Sequence, residues 1–86
     1  MSIHERAAEI LREVAQERHL TIEQITGRGR YEELTEARRE AVKRLDRELG
    51  LTLTDIGRLL GGRDHSTISL LRQPKARKII QQAGQR

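Results

Sequence analysis

Asp64, His65, Ser66 and Thr67 stand in a row, each with hydrogen-bonding side-chain atoms, directly after Gly61, Gly62 and Arg63. Side chains of these types at the first turn of a helix suit the edges of base pairs. A carboxylate such as Asp64 accepts from a cytosine amino group. A threonine such as Thr67 bonds a base or a phosphate, or offers its methyl to thymine. His65 can donate or accept, and its ring edge can meet a thymine methyl. Free amides at a helix start favour a phosphate nearby, and Arg63 adds a cation just before them. The same residues also fit a plainer part, with Asp64 and Ser66 as helix caps and His65 and Thr67 as exposed surface. Residue types alone do not separate the two readings.

Catalytic constellations are not in evidence along the chain. His4, His19 and His65 lie in three separate segments without metal-ligand spacing, and no cysteine is present to supply a thiolate. Ser66 next to His65 is no nucleophile–base pair, because adjacent residues on a helix diverge in direction. Gly27-Arg28-Gly29 follows no strand, so it is no dinucleotide fingerprint. Tyr31, the one aromatic residue, has no acid cluster or histidine pair to make it a nucleophile and is expected to pack or to touch a phosphate. The chain is expected not to be an enzyme and to need no cofactor or metal.

Eighty-six residues suit one domain, here 1–86. A chain of this size buries only about 60% of its unfolded surface. With so little aromatic content the core falls to Leu, Ile, Val and Ala. The same scarcity weakens a single-strand or RNA reading, which leans on rings that stack bases. No apolar run approaches the roughly 20 residues that span a bilayer, and Met1 to Arg6 does not resemble a signal peptide. No helix combines a broad lysine face with bulky apolar residues, so a membrane-surface role is disfavoured. A cytoplasmic protein is expected. Charge is uneven: residues 1–26 carry three arginines against five glutamates, while residues 27–86 carry a net +6. A basic half beside an acidic helix suggests one face turned to a polyanion.

The elements that must position these residues read as an all-α, compact bundle of five to six helices. Ser2-Ile3-His4-Glu5 has the pattern of a capping box. Ala7, Ile10, Leu11, Val14 and Ala15 then recur at helical spacing, predicting a helix over 3–18. Thr21-Ile22-Glu23-Gln24 is a second capping box, opening a short helix that Gly27 ends. Gly27-Arg28-Gly29-Arg30 is a basic loop. Leu34, Ala37, Ala41, Val42, Leu45 and Leu49 predict a long helix over 33–49, closed by Gly50. Thr52-Leu53-Thr54-Asp55 starts another, which buries Ile56, Leu59 and Leu60 and stops at Gly61-Gly62. Asp64 is expected to cap the next helix through its side chain, with Ile68 and Leu71 inward until Pro74. A last short helix over 75–83 would turn Ile79 and Ile80 inward. Two short helices joined by a glycine turn, about 53–73, follow helix-turn-helix grammar.

The thirteen residues Ile56-Gly57-Arg58-Leu59-Leu60-Gly61-Gly62-Arg63-Asp64-His65-Ser66-Thr67-Ile68 resemble the signature of the DNA-binding domain of the bacterial replication initiator DnaA. Leu20 to Ile25, Arg28 and Arg30, Ala37-Arg38-Arg39 to Leu45, and Arg47-Glu48-Leu49 extend the likeness over roughly 5–72. The resemblance implies double-stranded DNA as the partner. It puts major-groove base contacts on Asp64, His65, Ser66 and Thr67. A minor-groove arginine falls on Arg30, with Arg28 as the alternative, and phosphate contacts fall on Arg39, Arg47, Leu53 and Thr54. Arg28, when not in the groove, joins the phosphate contacts, and Arg63 is added to them from its own position. Ser66 stands where the family usually has threonine, Glu40 where it often has glutamine, and Leu70 to Pro74 replaces a more regular helix tail. The target is therefore expected to differ from the initiator's usual box.

No G-x-x-x-x-G-K-[ST] occurs in these residues, so no nucleotide is expected to bind. The expected function is sequence-specific DNA binding in transcription regulation or replication control, at the nucleoid of a bacterial or phage-infected cell. The alternative is a protein-interaction module, using the acidic outer face of helix 3–18, or a DNA-binding accessory of a replication or transposition complex. The plainer reading of that helix is a lid on the core.

Overall fold

A computed structural model of the chain describes residues 2–29 and 31–73. Among them are five helices and no strand: α1 (Ile3–Glu17), α2 (Ile22–Thr26), α3 (Glu32–Leu49), α4 (Leu53–Leu59) and α5 (His65–Arg72). The expected helix over 75–83 lies outside the described residues.

Local sequence explains several of the helix starts and stops. Both capping boxes form. The Ser2 hydroxyl accepts from the Glu5 amide at 3.2 Å while the Glu5 carboxylate accepts from the Ser2 amide at 2.9 Å. Thr21 and Gln24 do the same at the start of α2. These exchanges satisfy amides that a helix start leaves without partners. The hydroxyl of Thr52 caps α4 by accepting from the Asp55 amide, and Gly50 closes α3 in the left-handed region at φ +63. The side-chain cap expected of Asp64 is not made. Asp64 holds the N-cap position of α5 with no side-chain bond to the first turn, and its carboxylate lies 3.5 Å from His65 Nδ1 instead.

The long helix α3 packs against each of the other four. Ala7, Ile10, Val14, Ile25, Ala37, Ala41, Val42, Leu45, Ile56, Leu60 and Ile68 meet in a single core cluster. Each fully buried Ile, Leu or Val contributes roughly 1.5–3 kcal/mol from area removed from water. All the apolar positions read from helical spacing on α1 are buried. Charges lock α1 to α3 above this core. Arg6 reaches Glu48 at 2.7 Å, and Glu13 pairs with Arg44. These guanidiniums hold the Glu13 and Glu48 carboxyls below the usual carboxylate value. This is the lid arrangement, built from residues that a helix considered alone would leave on its outer face.

Candidate nucleic-acid interface

The turn between α4 and α5 needs two glycines in special geometry. Gly61 and Gly62 have φ of +85 and +80, values that side-chain-bearing residues rarely adopt. The Gly62 amide closes back on the Gly57 carbonyl at 2.9 Å, as does the Arg63 amide, so α4 stops sharply. Gly57 answers a different need: a Cβ there would stand 2.2 Å from the Arg63 carbonyl oxygen. The turn therefore folds tightly over α4 and sends α5 away at a fixed angle.

This turn delivers the tip of α5 to solvent. Asp64, His65, Ser66 and Thr67 are all exposed, with 68% and 64% of the Asp64 and His65 side chains accessible. Only Ile68 of this helix is fully buried, with Leu71 partly buried against the core. Leu70, one turn beyond Ser66 and Thr67, is 64% exposed and extends the same outer face with an apolar side chain.

The basic loop lies beside this helix. Thr26, Gly27, Arg28, Gly29, Thr35, Arg38, Gly61, Gly62, Arg63, Thr67 and Leu71 line one cleft between the loop, the turn and α5, with no carboxylate among them. Arg28 is exposed at its edge. Arg30 lies outside the described residues.

Two guanidiniums hold the loop in place. Arg38, only 5% exposed, donates from Nε to the Ile25 carbonyl at 2.7 Å, from Nη1 to Gly29 at 2.7 Å, and from Nη2 to Gln24 at 3.0 Å and Gly27 at 3.1 Å. Arg63 donates to the carbonyls of Leu60, Thr26 and Gly27. Burial pushes both guanidiniums below the ordinary arginine value; Arg63 adds to the effect at Arg38, and Arg28 adds to it at Arg63. Residue type and position alone assign Arg38 no contact of its own. Its signal was its place on the apolar stripe of α3, one turn after Leu34 and one before Val42. Arg63, expected at a phosphate, has a bracing task that was not foreseen.

The remaining expected phosphate positions are spread over α3 and α4. Arg47 and Thr54 are exposed and Leu53 is partly buried. Leu53 and Thr54 contribute first-turn amides, which have no acceptor within their own helix. Arg39 donates from Nη1 to the Gln73 carbonyl at 2.9 Å, and its Nε is buried without a partner among the described residues. Glu40 lines a small cleft with Arg39 and Lys43, so an acid does sit among these cations. Tyr31 is 73% exposed ahead of α3, which excludes the packing role and leaves surface contact.

Among the described residues no group of acids or histidines is arranged to hold a metal, and no helix is long and apolar enough to cross a membrane.

Comparison with known proteins agrees with this architecture. The family model described as the bacterial DnaA protein helix-turn-helix matches residues 7–72. The chain is 41% identical over 59 residues to the chromosomal replication initiator protein DnaA of Thermomicrobium roseum, covering 69% of this chain and 13% of that protein. It is 42% identical over 59 residues to the DnaA of Roseiflexus castenholzii, covering 69% and 12%. With the DnaA of Herpetosiphon aurantiacus it shares 40% over 62 residues, covering 72% and 13%. The likeness thus spans about an eighth of the length of these relatives. No solved structure matches the chain. With the exposed helix tip, the glycine turn and the adjoining basic loop in place, the chain belongs to the family of the bacterial DnaA helix-turn-helix.

Proposed function

We propose that this chain binds double-stranded DNA at a preferred sequence and acts in replication control, with transcription regulation as the second setting. The carrying observation is the solvent-facing row Asp64 to Thr67 beside a carboxylate-free cleft edged by Arg28. In this reading α5 enters the major groove, and Asp64, His65, Ser66 and Thr67 meet base edges. The loop reaches the adjacent minor groove with Arg30, or with Arg28 if the loop sits higher. Arg28, Arg39, Arg47, Arg63 and the amides of Leu53 and Thr54 face phosphates, which supply most of the affinity and little of the selectivity. The relatives named as chromosomal replication initiators support replication as the setting, and the chain supplies no motor of its own within these residues.

Docking of a protein partner on α1 has less in its favour, because Arg6 and Glu13 are engaged with α3. The deciding experiment is selection of bound sequences from a random duplex pool at physiological salt, followed by a salt titration on the winner. An enriched motif is expected, with affinity falling steeply as salt rises. No enrichment and a flat salt dependence would refute the proposal and favour the protein partner.

A further inference from the structure

Arg38 is an unusual arginine in this molecule. Arg6 and Arg44 face carboxylates, but Arg38 is buried and donates to four backbone carbonyls. Burying a cation is expensive, and an apolar residue of similar volume often serves stability as well or better. What an apolar residue cannot supply is a planar fork of donors in fixed directions. Here that fork gathers the carbonyls of Gln24, Ile25, Gly27 and Gly29, which span the end of α2 and the basic loop.

The loop is tied from its other side as well. Arg63 leaves the turn before α5 and donates to Gly27, the acceptor Arg38 also uses, and to Thr26. Its bond to Leu60 anchors it to the end of α4. Backbones touch at the same place: a Cβ on Gly61 would lie 2.1 Å from the Thr26 carbonyl oxygen. A continuous set of bonds therefore runs from α3 through the loop to the helix-turn-helix turn.

We propose that Arg38 is a positioning residue for DNA recognition: it touches no DNA, and through the loop it holds it sets the offset between the minor-groove contact and the major-groove helix. This rests on the DNA-binding reading above. Two contacts in neighbouring grooves must be presented at one separation to be made together. A loop cut free of Arg38 would still carry its charge but would lose that separation.

The test uses the full chain and the duplex won by selection, with two altered duplexes. One is scrambled only where α5 reads, the other only in the flank toward the loop. Arg38→Lys and Arg38→Met are compared with the unmodified protein, each corrected for folded fraction by circular dichroism. Both variants are expected to lose about tenfold of the preference for the native flank while keeping the preference at the α5 half-site. Arg38→Lys restores a charge without the fork, so it should recover folding but not flank preference. Flank preference unchanged in Arg38→Lys, or both preferences lost in equal measure, would overturn the proposal, since a purely structural arginine lowers binding to all duplexes alike. If neither variant folds, Arg63→Gln loosens the same tie from the turn; it should show the flank-only loss, and full retention of flank preference there would overturn the proposal equally. An unmodified protein that selects no duplex defeats the DNA-binding reading and this one with it. Selection with an indifferent Arg38→Lys defeats this one alone.

Discussion

Arg38 and Arg63 share one acceptor: both donate to the carbonyl oxygen of Gly27. One residue comes from the middle of α3 and the other from the turn that launches α5. Their meeting point is the loop beside α5, so hydrogen bonds through one carbonyl join the two halves of the candidate interface.

That piece depends on close backbone approach, which Gly61→Ala tests. Its φ of +85 and the 2.1 Å approach to the Thr26 carbonyl act together. The substitution should cost about 2–4 kcal/mol, lowering Tm by roughly 10–25 °C for a domain of this size. Gly50→Ala is the control, with φ +63 and nothing within 4 Å; it should cost about 1–2 kcal/mol from the backbone alone. Equal losses from the two, read by thermal unfolding, would show that the loop and the turn are not in contact.

His65→Ala should weaken binding to the selected duplex by about 1–3 kcal/mol and leave binding to random duplex nearly unchanged. With 64% of the His65 side chain accessible, its loss should leave folding little changed. Equal losses on both duplexes, by fluorescence anisotropy, would remove His65 from the base-reading set.

Arg30→Ala should reduce affinity most for sites with A·T-rich flanks, because a narrow minor groove concentrates negative potential on an inserted arginine. Arg28→Ala should weaken all duplexes about equally and make the salt dependence shallower by about one phosphate contact. The reverse pattern, from parallel salt titrations, would exchange the two residues.

Acid should loosen α1. The folded chain holds Glu13 and Glu48 below the ordinary value of 4.5, chiefly through hydrogen bonds from Arg44 and Arg6 respectively. A carboxyl depressed on folding contributes stability that is fully present above its unfolded value and lost as pH falls through its folded value. Stability should therefore be level near neutrality and decline below about pH 4.5. The double variant Glu13→Gln, Glu48→Gln should show a flatter decline in urea titrations across that range. An unchanged acid limb would mean that the α1–α3 pairs are not what holds these carboxyls down.

Much of the fold is local and was therefore readable. Ser2 with Glu5 and Thr21 with Gln24 are exchanges between residues three apart, and the core positions of α1 and α3 repeat at the helical period. Gly50, Gly61 and Gly62 stand where left-handed backbone is needed. The solvent exposure of Asp64 to Thr67 was readable too, since four polar residues follow a glycine turn at a helix start. What escaped is what depends on distant chain. Arg38 finds backbone carbonyls, which no side-chain pattern announces, and a run such as Ala37-Arg38-Arg39 looks like solvent-facing charge. Asp64 has the residue type of a cap, yet its carboxylate makes no bond to the first turn and lies 3.5 Å from the neighbouring imidazole. The pairing of Arg6 and Glu13 with α3 escapes a local reading because Glu48 and Arg44, which receive them, lie some 30 residues or more further along.

The sparse anchoring of α5 has a consequence for how this scaffold can change. Ile68 and, in part, Leu71 hold the helix down, while positions 65, 66, 67 and 70 bear no packing load. Substitutions there should accumulate without threatening the fold, so under the proposed function lineages built on this framework can change target while keeping the scaffold. Retargeting in the laboratory can likewise randomise these four exposed positions in one library and expect most members to remain folded.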